Sequence, residues 1–172
     1  MKDFRNSGQI NSARWQEVMS AAAALKQARL IIDDTGGIDI LENPNEAKKL
    51  IGFLPEQPPL YFDMTVNEYL NFVYEIKNCK LNRAKHLDEV RKVTKIDDVQ
   101  NRLIKNLSKG YRQRTCFAQA IIHDPKVLIM DEPTDGLDPN QKFVVREMIK
   151  EMAAEKAIII STHILEEVDA VC

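Results

Sequence analysis

The sequence predicts an α/β fold in which a parallel sheet core carries a mostly helical insertion. Three observations predict it. Val127–Met130 is an apolar run with no alternation, as expected of a strand buried on both faces. Ala157–Ile160 is a second such run. Between them, Asp138 can cap a helix whose first position suits Pro139. Strand, helix, strand is the βαβ unit of a parallel sheet.

The elements follow in chain order. Residues 12–28 read as a helix, with Trp15, Val18, Met19 and Ala22 on one face and a run of alanines that favours helix. Leu30–Ile32 is a short strand-like run closed by Asp33 and Asp34, and Gly36-Gly37 breaks the chain. The next stretch predicts a strand and turn, then a short helix before Ile51. Ile51–Leu54 is apolar and ends in Pro55-Glu56-Gln57-Pro58-Pro59, where consecutive prolines forbid regular structure. Thr65 starts a helix with Glu68 three residues on, a capping box, and Val66, Tyr69, Leu70, Val73 and Ile76 supply its apolar face. A second helix is predicted over Asn82–Thr94, with Leu87, Val90 and Val93 aligned. Ser108 can cap a third, carrying Cys116, Phe117, Ala120 and Ile121 inward until Pro125 ends it. Residues 63–122 thus form the insertion.

Composition narrows the class. A chain of 172 residues can bury a core of its own. A net charge of −2 gives no broadly basic surface for nucleic acid. Apolar runs such as Val127–Met130 are far too short to span a bilayer, and MKDFRNSGQI has no apolar signal-peptide region. Cys79, Cys116 and Cys172 are scattered and odd in number, which fits neither a disulfide framework nor a zinc site and points to a reduced, cytosolic setting.

The strongest chemical signal is VLIMDEPTDGLDP, residues 127–139. It places Asp131 and Glu132 at the carboxyl end of a strand, where α/β folds bind ligands. An Asp there can hold Mg²⁺, and the adjacent Glu can take a proton from an attacking water. Strand-end acids are common, so the whole stretch, with Asp138 as a further acid, carries the signal. The second signal is Leu107-Ser108-Lys109-Gly110-Tyr111, which opens a helix upstream of that strand. Backbone N–H groups at a helix N-terminus attract phosphate, and Lys109 adds a charge. The third is His163, just past the second buried strand, where it could hydrogen-bond a phosphate oxygen. Gln57, in the proline segment, means little by itself. His86 and His123 have no such context.

Together these motifs resemble the ATP-binding subunit of an ABC transporter over about residues 37–172. The order is a Gln loop (LPEQPPLY), a helical subdomain, a signature (LSKGY), a Walker B strand with its Glu (VLIMDE), a D-loop (GLDP) and a switch His (STH). The wording is most like subunits serving ABC-2-type exporters. The resemblance implies a P-loop NTPase sheet, ATP and Mg²⁺ as cofactors, and roles for single residues. Gln57 would contact Mg²⁺ and sense the γ-phosphate, Asp131 would support Mg²⁺, Glu132 would be the general base and His163 would fix the γ-phosphate. The Leu107–Tyr111 signature would clamp ATP held by the opposite subunit through Ser108 and Gly110, with Asp138 at the dimer interface. The implied partners are a second ABC ATPase subunit, in a homo- or heterodimer, and transmembrane permease subunits, with no nucleic acid. The implied location is cytoplasmic, on the inner face of the cell membrane.

Two departures stand out. The signature has Lys109 and Tyr111 where the commonest form has Gly and Gln. More seriously, a P-loop requires Gly-Lys-Ser/Thr, and none of the six glycines is followed by lysine. The expectation is therefore an incomplete ABC ATPase domain that also stops short at Cys172. Residues 7–35 instead resemble a stretch of replicative hexameric DNA helicases, which suggests a fusion near Gly36-Gly37 and an N-terminal part over 1–36. Two other functions compete with a working ATPase: a non-catalytic module that lends its signature to a complete subunit, and a helicase fragment. The missing P-loop favours the module over autonomous catalysis, and the motif order counts against the helicase.

Overall fold

The computed structural model describes residues 43–162, all within the second of the chain's two units, Ile40–Cys172. The predicted helix over 12–28, the strand at Leu30–Ile32, the Gly36-Gly37 break and His163 lie outside the described residues.

Three parallel strands form the described sheet in the order β1 (Ile51–Leu54), β2 (Val127–Asp131), β3 (Ala157–Ser161). Leu54 pairs with Met130, and Asp131 with Ser161. Each of the two predicted strands therefore runs one residue further, into Asp131 and Ser161. Residues 127–130 of β2 are buried on both faces, as the unbroken apolar run requires. β3 departs from expectation: Ile158, Ile159 and Ile160 are only half-buried. Among the described residues β3 has a strand neighbour on one side only, so its apolar run is less enclosed than that of β2.

The helices follow local sequence rules. Helix α1 (Pro44–Leu50) begins with proline at its first turn and runs directly into β1. Helix α2 (Val66–Ile76) opens on a complete capping box: Thr65 Oγ1 accepts the Glu68 N–H while Glu68 accepts the Thr65 N–H at 2.8 Å. Helix α3 (Arg83–Val93) is capped by Asn82, and α4 (Lys109–Ile121) by Ser108. Helix α5 (Pro139–Ala153) buries Val145, Met148, Ile149 and Met152, the i, i+3, i+4, i+7 stripe of an amphipathic helix.

Helix α4 is the hub. It is buried on most of its faces, with Cys116, Phe117, Ala118 and Ala120 inside. Tyr69 of α2 donates its phenolic hydrogen to Gln119 at 2.5 Å. On the sheet side α4 meets Gly52, where an added Cβ would lie 2.4 Å from the Ala120 carbonyl oxygen and 2.6 Å from Leu128 Cδ2. Only glycine lets helix and strand approach so closely. One apolar cluster thus runs from Leu70 and Leu87 in the insertion, through Phe117, to Leu54, Met130 and Met148 in the core.

Some expectations need correction. Ile76 is 64% exposed and Val93 38% exposed, although periodicity places both on apolar faces. Each is the last residue of its helix, where the packed stripe runs out; Val93 lines a cleft with Leu81, Ile121 and Met152. Pro125 does not end α4, which stops at Ile121; the chain turns at Asp124, in left-handed backbone at φ 51°. Two 3₁₀ turns, Asp97–Val99 and Ile104–Asn106, were not foreseen, nor was the burial of Ile96, Val99 and Ile104.

Candidate functional site

Parallel register gathers chemistry at the carboxyl edge of the sheet. Asp131 ends β2 opposite Ser161, whose hydroxyl donates to Asp131 Oδ1 at 2.6 Å. Glu132 follows, its N–H donating to the Ser161 carbonyl at 3.0 Å and its carboxylate accepting the Thr162 hydroxyl at 3.3 Å. Both acids are half-buried. Glu132 sits in left-handed backbone at φ 45°, a strained conformation for a side-chain-bearing residue, and one that clusters at functional sites. Gln57 lies three residues beyond the end of β1 on the same edge and is exposed. Among the described residues no three His, Cys, Asp or Glu side chains form a metal cage. Magnesium does not need one. It is commonly held by one or two carboxylates with phosphate oxygens and water, and Asp131, oriented by Ser161, fits that donor set.

A second group of residues surrounds the start of α4. Ser108 is exposed and accepts the Tyr111 N–H. Gly110 is buried, and an added Cβ would fall 2.3 Å from Gln141 Oε1. Gln141 also accepts from Arg114 at 3.2 Å, and Arg114 lies 4.0 Å from the Tyr111 ring centroid and donates to the Lys95 carbonyl at 2.6 Å. The Tyr111 phenol donates to Asp98, and this bond, ahead of burial, raises its pKa. Lys109 pairs with Asp135 at 3.6 Å. Asp138 accepts the N–H groups of Asn140 and Gln141, both at 3.1 Å, and so caps α5.

The structure thus brings Asp131, Glu132, Ser161 and Thr162 together. It separately joins Leu107–Tyr111 to the turn 132–138 and to α5. The contacts of Lys109 lie with Asp135 rather than with Asp131 or Glu132. Sequence reasoning missed Ser161, Thr162, Asp135, Gln141 and Arg114. Ser161 and Thr162 had a visible signal, as the polar pair closing the second apolar run, and Asp135 lies within the VLIMDEPTDGLDP stretch.

The ABC transporter family profile matches residues 18–135, well over half of the chain. The chain belongs to the ABC transporter family. Among curated relatives, this ABC transporter chain is 34% identical over 84% of its length to the uncharacterized ABC transporter ATP-binding protein YxlF of Bacillus subtilis, covering 50% of that protein. It is 33% identical to the ABC transporter ATP-binding protein NatA of Bacillus subtilis, over 94% of this chain and 67% of that protein. The bacitracin transport ATP-binding protein BcrA of Bacillus licheniformis is 33% identical over 77% of the chain and 44% of that protein. The structure of cbiO1 from Clostridium perfringens, described as part of the ABC transporter complex cbiONQ, superposes with a TM-score of 0.70 at 30% identity, covering 82% of this chain and 58% of that one. The ABC chain therefore spans about half to two thirds of the length of these relatives. Its fold is the α/β parallel sheet of ABC ATPases. No helix among the described residues is long and apolar enough to cross a membrane.

Proposed function

We propose that this chain supplies the hydrolytic edge and the signature clamp of an ABC ATPase that drives export through membrane-embedded permease subunits. The observation that carries the reading is the pair Asp131-Glu132 at the carboxyl end of the central described strand, with Ser161 and Thr162 on their carboxylates. In this reading Asp131 and Gln57 hold Mg²⁺, which when bound neutralises phosphate charge. Glu132 takes the proton from the attacking water. His163, next after Thr162, fixes the γ-phosphate. Ser108 and Gly110 present the start of α4 to nucleotide held by a second ATPase subunit, where N–H groups and the helix dipole favour anions. Asp138, as the cap of α5, shapes the dimer-facing turn.

No Gly-Lys-Ser/Thr occurs in the 172 residues, so the amides and lysine that cradle β- and γ-phosphates are not supplied by them. The 172-residue chain is expected to bind MgATP weakly and to hydrolyse it no faster than background. Micromolar binding in calorimetry would overturn this. A second reading rests on the exposed Ser108 cap: the chain completes the ATP site of a complete ABC subunit while its own edge stays silent. In such a mixed complex Ser108→Arg should lower the ATPase rate and Glu132→Gln should not. Equal losses would instead show that the edge of this chain turns over.

A further inference from the structure

We propose that Lys109 and Asp135 are positioning residues. Their ion pair holds the turn 132–138 against the start of α4, so that the signature and the D-loop meet a partner as one preset surface. The proposal rests on the reading that Ser108 and Gly110 serve a nucleotide site.

Lys109 is badly placed as a simple helix residue. It is the first residue of α4, whose opening turn holds no acid to offset it. A cation there opposes the helix dipole. The charge is answered from the turn instead, by Asp135 at 3.6 Å. The lysine reaches it by lying across Gly136: a Cβ at 136 would fall 2.0 Å from Lys109 Nζ, and Gly136 holds left-handed backbone at φ 59°. Glycine at 136 therefore serves both the turn and the path of the lysine.

The same turn is gripped at two further points. Gln113 of α4 donates to the Pro133 carbonyl at 3.1 Å, within the buried seam. Asp138 caps α5, whose Gln141 fills the space over Gly110 and binds Arg114. Those contacts fix the ends of the turn, buried Thr134 and Leu137 anchor it from within, and Lys109 with Asp135 adds the tie on its exposed side. That pair is exposed, with side-chain accessibilities of 59% and 45%. Exposed pairs are weak and salt-screened, so this one trims the turn without locking it. Tyr111, the other departure from the commonest signature, is likewise engaged within the chain, on Asp98 and Arg114. Both unusual signature residues therefore brace the helix rather than extend its reach.

Hydrogen exchange on the 172-residue chain tests the clasp. The amides of Asp135 and Leu137 are hydrogen-bonded within the turn and report its opening. Lys109→Met and Asp135→Asn should each speed exchange over 134–138 by about two- to five-fold, the range of an exposed pair. The swap Lys109→Asp with Asp135→Lys should restore it, and high salt should move the wild type toward the single variants. A purely local helix effect predicts the opposite sign, since removing a cation from a helix start stabilises it. Unchanged exchange in both single variants, or a swap that restores nothing, overturns the clasp. In a mixed complex with a complete ABC subunit, Lys109→Met should raise KM for ATP by no more than that factor, since only the loss of closed turn weakens binding, and leave kcat unchanged. An unchanged KM beside a damaging Ser108→Arg overturns the positioning role alone. A harmless Ser108→Arg removes the nucleotide reading and, with it, the half-site role of the pair.

Discussion

Glu132 carries its carboxylate on backbone that L-residues avoid, at φ 45°. Holding a side-chain-bearing residue there costs on the order of 1 kcal/mol or more. Glu132→Gly and Glu132→Ala lose the same carboxylate and the same Thr162 bond, and differ in that strain. The glycine variant should melt about 2–4 °C above the alanine variant, the shift expected per kcal/mol for a chain of this size. Calorimetry that finds alanine equal or better would show that residue 132 is not held in left-handed backbone. His123 makes a second point at this scale. Its Nε2 lies 3.1 Å from the Ile51 carbonyl and so carries the proton. Burial, with the nearby Lys77 ammonium, pushes its pKa from 6.5 to about 4. The unfolded chain therefore takes up a proton near pH 6.5 that the folded chain refuses. The stability this group contributes is fully present above pH 6.5 and is lost as pH falls through that value towards about 4. Urea midpoints of His123→Gln should fall less over that window than those of the wild type. Parallel curves would place the acid sensitivity elsewhere.

At the scale of elements, the caps were legible and the partners were not. Thr65-Glu68, Ser108 and Asp138-Pro139 announce helix starts because a cap is a bond between residues two or three apart. All three do so in the structure. Asp138→Ala should lower unfolding stability by about 1 kcal/mol, while Asp138→Asn keeps the acceptor and loses little. A denaturant series in which Ala and Asn behave alike would mean that the two 3.1 Å cap bonds do not hold α5. The same local logic is blind to pairings made across the chain. Lys109 with Asp135, Gly110 under Gln141 and Gly52 under the Ala120 carbonyl depend on how helices land, not on neighbouring letters. Ile76 and Val93 show the matching failure: periodicity places them on apolar faces, but each stands at its helix end, past the packing.

At the scale of the molecule, the α/β class and the edge bearing Asp131 and Glu132 were legible because an unbroken apolar run followed by acids is hard to satisfy otherwise. The half-buried state of β3 was not, since a run of isoleucines reads the same at a sheet edge as at its centre. The family match reaches back to residue 18, into the stretch likened to a helicase, so it covers more of the chain than the motifs alone mark. Among the described residues a single apolar cluster joins insertion and sheet, with α4 running through it. That burial has a chemical consequence at Cys116. Its thiol is inaccessible, and burial pushes its pKa up to about 12. Thiolate is the reacting species, and burial disfavours it, so the folded thiol is unreactive at neutral pH. An alkylating reagent should leave Cys116 unmodified until α4 comes away from its neighbours, and the adduct then forms at a rate set by that opening. The chain thus carries a native chemical timer for the opening of its own core, readable by mass at a single sulfur atom.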